Sequence, residues 1–221
     1  MIRKQAPDKQ AGFTIVELMI ATAILSTILL LVTTMMINIG NLYYKGVNQA
    51  RVQDGVRTIA DDVTQQLKFG DLLTGGPWTV GSGVDTFHEQ AYCVGNIRYT
   101  YILGYQIGTG TDYLTRPQAP HVLWRDANPS PGSCTEVDLT ASPTGGTELI
   151  PPNSRLTSFS ISASTTTSYA VTVGVAYGGL DLLSGPTDSP PTFVTCTGVT
   201  GDQFCATAHL TTIVAQRIAG S

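Results

Sequence analysis

The chain has 221 residues and a mass of 23.4 kDa, which accommodates one domain, or one domain with an appendage, and excludes a large multidomain machine. Charged side chains make up 13% of it, against roughly 25% in an average soluble domain, and 42% of residues are hydrophobic, so the composition leans toward burial or membrane contact and excludes wholesale disorder. The formal charge is -4, and residues 69–221 carry 5 basic and 11 acidic side chains with no lysine, a balance that repels phosphate backbones and excludes nucleic-acid binding by bulk charge.

The first element is a helix. Leu18 to Tyr44 is a run of 27 residues without a charged side chain, and its first 22 residues, as helix, would span about 33 Å, enough for a hydrocarbon core of about 30 Å. Arg3, Lys4 and Lys9 precede this run, so the positive-inside tendency places the short N-terminal tail in the cytoplasm and the residues after Lys45 outside. A secretory signal peptide has a shorter apolar region, of about 7 to 15 residues. Here the pattern continues into a second helical stretch. Val52, Val56, Ile59, Ala60, Val63 and Leu67 recur at spacings that put them on one stripe, while Arg51, Asp54, Arg57, Asp61, Asp62 and Lys68 occupy the remainder. One helix from about Phe13 to Lys68 is predicted, with Gly40, Gly46 and Gly55 as its bends. Glu17 stands at the edge of the apolar run with no lysine or arginine in helical reach. A carboxylate in a bilayer needs a partner or a task, so Glu17 either sits at headgroup depth as the end of the span or does specific work.

The string Ala11-Gly12-Phe13-Thr14-Ile15-Val16-Glu17-Leu18-Met19-Ile20-Ala21 resembles the cleavage and methylation signal of type IV prepilins and type II secretion pseudopilins. By that resemblance Gly12 is the last leader residue, Phe13 the N-methylated new N-terminus, and Glu17 the assembly carboxylate. The same resemblance implies that a neighbouring subunit's Glu17 neutralises the Phe13 amine within a filament core, where low dielectric strengthens the pairing. The glycine at position 12 then leaves a peptidase unobstructed. Loss of the leader removes Arg3, Lys4, Asp8 and Lys9 and leaves an acidic mature chain.

Beyond the helix the chain changes character: 19 of 23 glycines and 11 of 12 prolines fall at or after Gly70. Period-two alternation predicts strands over Ile97 to Tyr105, Phe159 to Ala163, Tyr169 to Tyr177 and, more weakly, Phe204 to Val214, with shorter edge elements at Val122-Leu123-Trp124 and Cys134 to Leu139. No helix-length apolar pattern separates them, so the sheet is predicted to be antiparallel. An α+β fold follows, with a long N-terminal helix, transmembrane in its first half, packed on an antiparallel head. The expected organisation is a leader over 1–12, a transmembrane and assembly helix over 13–44, an amphipathic continuation over 45–69 and an extracytoplasmic β-rich head over 70–221. This order of helix and strands looks like the minor pilin and J-type pseudopilin group. Unlike many major pilins, the apolar helix contains no proline, which favours a minor pilin or a pseudopilin.

Cys93, Cys134, Cys196 and Cys205 all lie on the side predicted to be exported, where an even count points to two disulfides. Of the three pairings, Cys196 with Cys205 closes a short loop and leaves Cys93 with Cys134. Zinc ligation lacks its clustered spacing. His88, His121 and His209 are scattered, no nucleophile elbow or phosphate loop is present, and Gly104, Gly108 and Gly110 are not followed by the lysine that a phosphate loop requires. No catalytic residue, metal site or cofactor is therefore expected. Asp181, Asp188 and Asp202 read as solvated loop acids, without the spacing of a calcium loop. Tyr99, Tyr101 and Tyr105 could stack bases or sugars with Trp78 and Trp124, but at period two they are expected to form a sheet face under the helix.

The resemblance implies a structural, non-enzymatic minor pilin, inserted in the inner membrane and assembled at or near the tip of a type IV pilus after cleavage. Its implied partners are other pilin or pseudopilin subunits through their N-terminal helices, a prepilin peptidase and the inner-membrane assembly platform. A type II secretion pseudopilin, or an unprocessed membrane-anchored adhesin or receptor, is the alternative.

Overall fold

The computed structural model of the chain describes residues 12–80, 87–108, 118–130, 132–139, 143–179, 182–184, 195–197 and 201–217. Arg3, Lys4, Asp8, Lys9, Gly110, Asp181 and Asp188 lie outside these. Two compact units result, Met1–Tyr43 and Tyr44–Ser221.

The first unit contains the N-terminal part of α1, a helix that runs from Ile15 to Leu67. This part buries nothing: every residue described from Gly12 to Ile39 is exposed. Its Thr and Ser hydroxyls are satisfied within the helix. Thr22, Ser26, Thr27, Thr33 and Thr34 donate to the carbonyls of Met19, Thr22, Ile24, Leu29 and Leu31 at 2.7–3.0 Å, which suits a helix surrounded by lipid. The helix is long and apolar enough to cross a membrane.

The second unit is an α+β head. The rest of α1 turns the stripe of Val52, Val56, Ile59, Ala60, Val63 and Leu67 into the core, where each is essentially inaccessible. Burial at this level is worth roughly 1.5–3 kcal/mol for each large apolar side chain. Around the helix, β1 (Leu72–Val80), β2 (Phe87–Val94), β3 (Ile97–Tyr101), β6 (Leu123–Ala127) and β7 (Thr147–Glu148) form one sheet in that order. A second sheet has the order β12 (Ala206–Ala215), β9 (Ser168–Tyr177), β8 (Ser154–Thr165), β4 (Gln106–Ile107) and β5 (Gln118–Ala119), and β10 (Leu183–Ser184) pairs with β11 (Thr195–Cys196). Pairing is antiparallel throughout except between the two-residue strands β4 and β5.

Sequence and structure differ at instructive places. The alternation over Ile97 to Tyr105 breaks after Tyr101, because the chain leaves one sheet for the other through Gly104, whose φ of 82° is left-handed. Cys134 to Leu139 is not a strand. It lies over the outer face of the first sheet, where Cys134 bonds to Cys93 and Arg98 donates to the carbonyls of Thr135 and Glu136 at 3.0 and 3.4 Å. That cover buries both faces of β3, so Arg98 and Thr100 are inaccessible along with Tyr99 and Tyr101. β1 escapes period-two reading because Gly75-Gly76-Pro77 interrupts it, and the pairing shifts register between Gly75 and Trp78. A Cβ at Gly75 would collide with the Cys134 carbonyl. Gly55 is likewise set by contact, since a Cβ there would come within 2.9 Å of the Pro151 ring.

Polar contacts fix the helix on its sheets. Tyr99 donates to Asp62 Oδ2 at 2.8 Å, and Arg125 Nε lies 2.9 Å from the same oxygen. Arg98 and Asp126 form a buried ion pair with contacts of 2.9 and 2.5 Å. Glu89 is the odd group: its Oε1 accepts from the Leu139 N–H at 2.9 Å, Oε2 is buried without a partner among the described residues, and burial pushes its carboxyl up to about 7, with the charges of Asp138 and Glu136 adding to the rise.

Two predictions follow from this packing. Ile59→Ala should cost about 2–5 kcal/mol in denaturant unfolding, a loss expected for a fully buried β-branched side chain. Glu89 binds its proton more tightly folded than unfolded, so stability should fall as pH rises from about 4.5 to about 7, by on the order of 2 kcal/mol, and level off above. Glu89→Gln should flatten that slope, as read from denaturation midpoints against pH.

Candidate assembly and processing segment

The sequence-predicted residues of the N-terminus form a local arrangement. Thr14 precedes the first helical residue, Ile15, and its hydroxyl accepts from the Glu17 N–H at 3.2 Å. Glu17 answers through Oε2, which accepts from the Thr14 N–H at 3.0 Å and the Thr14 hydroxyl at 2.9 Å. This is a reciprocal capping box, in which a Thr at the N-cap and a Glu three residues later satisfy amides that the first helical turn leaves open. The spacing Thr-x-x-Glu of Thr14 to Glu17 is the sequence signature of this box, and it is independent of any role of Glu17 as a membrane-edge or assembly charge. Glu17 therefore has a partner next door, and its negative charge sits where the helix dipole favours one.

Gly12 and Phe13 lie just ahead of this cap and are exposed. Among the described residues nothing in the fold demands glycine at position 12: a Cβ there meets no atom within 4 Å, and the backbone is not left-handed. Packing therefore gives no reason for glycine at this position.

A comparison with protein families finds the prokaryotic N-terminal methylation motif at residues 7–33, a stretch that takes in Gly12, Phe13, Glu17 and the first half of the apolar helix. The motif supports a type IV prepilin-like protein, and the long apolar helix that follows it fits that reading. No curated protein and no solved structure matches it. The prepilin-like chain has an α+β pilin-like fold, a long N-terminal helix with antiparallel sheets packed on it. Its motif supports a type IV pilin or pseudopilin in general, and that family is structural rather than enzymatic.

The other candidates of the prepilin-like chain are dispersed over the head. Cys93 pairs with Cys134 and Cys196 with Cys205, at Cα separations of 5.6 and 5.8 Å. Tyr99 and Tyr101 are buried around Phe159, with Tyr101 edge-on to it at 5.0 Å, so they belong to the core and present no stacking platform. Trp124 is buried too, in edge contact with His121 at 4.5 Å. His121 lies 3.5 Å from Glu148, whose carboxylate accepts the N–H groups of Val122, Leu123 and Ile150, and burial holds its imidazole below the ordinary value. His88 and His209 are exposed on β2 and β12. Among the described residues no three His, Cys, Asp or Glu side chains are grouped to hold a metal.

Removing the cap should fray the helix. Thr14→Ala is expected to cost about 1 kcal/mol at the first turn, seen as faster amide exchange at Ile15 to Glu17 in detergent micelles with the head unaffected.

Proposed function

We propose that the protein is a minor pilin: a non-enzymatic subunit that is inserted in the inner membrane, cut after Gly12, methylated on Phe13 and assembled at or near the tip of a type IV pilus. The observation that carries this reading is the methylation motif running straight into a helix long and apolar enough to cross a membrane. A helix apolar on all sides is stable only in lipid or among other such helices, and a subunit that moves from membrane to filament needs both environments.

In this proposal the processed chain places a new amine on Phe13, immediately before the Thr14 cap. Both bonds from Thr14 fall on Glu17 Oε2, and Oε1 makes none among the described residues, so a carboxylate held in place by the cap keeps one oxygen for a neighbouring subunit's Phe13 amine. Inside a bundle of apolar helices that pair is strong, and each unpaired charge is costly, so axial register follows from charge matching. The absence of proline from the apolar helix equally supports a type II secretion pseudopilin, which differs in the machine served and not in the assembly chemistry. The partners in either case are other pilin-like subunits, a prepilin peptidase and the inner-membrane platform.

The N-terminal mass tests processing: N-methyl-Phe13 is expected, and an intact Met1 in material from the native host would instead identify a permanent membrane anchor. Glu17→Gln separates capping from assembly. The amide oxygen can still accept from Thr14, so the helix should start normally while incorporation into filaments drops by an order of magnitude or more, as counted by immunoblot of sheared filaments. Wild-type incorporation of Glu17→Gln would reduce Glu17 to a cap.

A further inference from the structure

The head carries a small aromatic patch at the level where the charge-free run ends. Tyr44 is the last residue of that run and Lys45 the first charge after it. The 27 residues of the run are about 40 Å long as helix, more than a hydrocarbon core of about 30 Å, so its last residues belong to the headgroup zone where Tyr and Trp concentrate. Phe204, 160 residues further on, stands with its ring 5.8 Å from that of Tyr44. Both remain open, Tyr44 at 53% and Phe204 at 48% exposure, although Cys205 beside Phe204 is buried.

The segment bearing Phe204 is held firmly at this level. It is a short 3-10 turn, Asp202–Phe204, entered through Gly201 at a φ of 104° and closed behind by the Cys196–Cys205 disulfide. Lys45 Nζ reaches Asp202 Oδ2 at 2.6 Å, Asn48 donates to the Gln203 carbonyl at 3.1 Å, and Gln49 donates to the Thr207 carbonyl at 3.0 Å. The ion pair has a second effect. Asp202 alone would be repelled by an anionic lipid surface, and Lys45 cancels its charge while its own stem can lie along the interface.

We propose that Phe204 and Tyr44 form an aromatic foot by which the head rests on the outer-leaflet headgroup layer of the membrane that the helix crosses. The ring of Phe204 contributes apolar surface, Tyr44 contributes a ring with a polar tip, and the Lys45–Asp202 pair lets both approach without an uncompensated acid. The foot gives the anchored precursor a second lipid contact beyond its helix. This rests on the reading of residues 13–44 as membrane-spanning.

The test uses the full chain reconstituted in vesicles of phosphatidylethanolamine and phosphatidylglycerol, with brominated lipids as contact quenchers. Phe204→Trp and, separately, Tyr44→Trp are read as difference emission against the parent chain, which carries Trp78 and Trp124. Phe69→Trp is the control, an exposed position just past Leu67, the end of the helix, which lies about 35 Å beyond Tyr44. The expected result is blue-shifted emission with loss of fluorescence to shallow brominated lipid for both foot variants, and neither effect for Phe69→Trp. Quenching of Tyr44→Trp alone would overturn the proposal and leave the spanning helix standing. Equal quenching at Phe69 would overturn it by placing the head on its side, and a Phe204 signal that changes only on filament assembly would assign the patch to a neighbouring subunit. Failure of the chain to float with vesicles would sink the membrane reading and the foot together.

Discussion

Within the head, α1 has one face that water cannot reach, and the two sheets are organised around that face. Six side chains from Val52 to Leu67 fill the space under Tyr99, Tyr101, Phe159, Val171 and Val173. Neither sheet has a second α-helix among the described residues to cover it. Without the stripe, the aromatic cluster of Tyr92, Tyr101 and Phe159 would face solvent and the sheets would share no core. Asp62 then fixes orientation, since one carboxylate oxygen serves both Tyr99 and Arg125 on adjacent strands.

The helix thus answers to two solvents. Its first half is apolar around its whole circumference and its second half is striped, and the change falls at Tyr43-Tyr44-Lys45. The head returns to the helix on both sides of the striped portion. Near its start Lys45, Asn48 and Gln49 hold the turn before β12 and its first residues, and near its end the Arg217 N–H donates to the Lys68 carbonyl at 2.9 Å while Gln216 reaches the Gly70 carbonyl at 3.2 Å. A strand fastened to the helix at both ends is hard to peel away, which matters for an edge strand whose ten residues pair, among the described residues, on one side only.

Much of this was legible because it rests on periodicity. The stripe of α1, β8 and β9 follow from spacing alone, since burial on one face writes itself into every second or every third to fourth residue. β1 and β2 were not legible, because Gly75-Gly76-Pro77 imitates a loop and because β2 holds Glu89 where alternation demands an apolar side chain. Nor could spacing reveal that Cys134 to Leu139 lies over the sheet instead of joining it. At the candidate site, the motif is readable residue by residue, whereas charge alone does not reveal the partners of Glu17, because they are neutral: an amide and a hydroxyl three residues back.

The hydroxyls of the apolar helix have a wider consequence. Thr22, Ser26, Thr27, Thr33 and Thr34 each spend their proton on a carbonyl of their own helix, so this surface offers adjoining helices shape and dispersion but almost no directional valence. A rod of that kind can slide and turn beside another apolar helix until something at its tip arrests it.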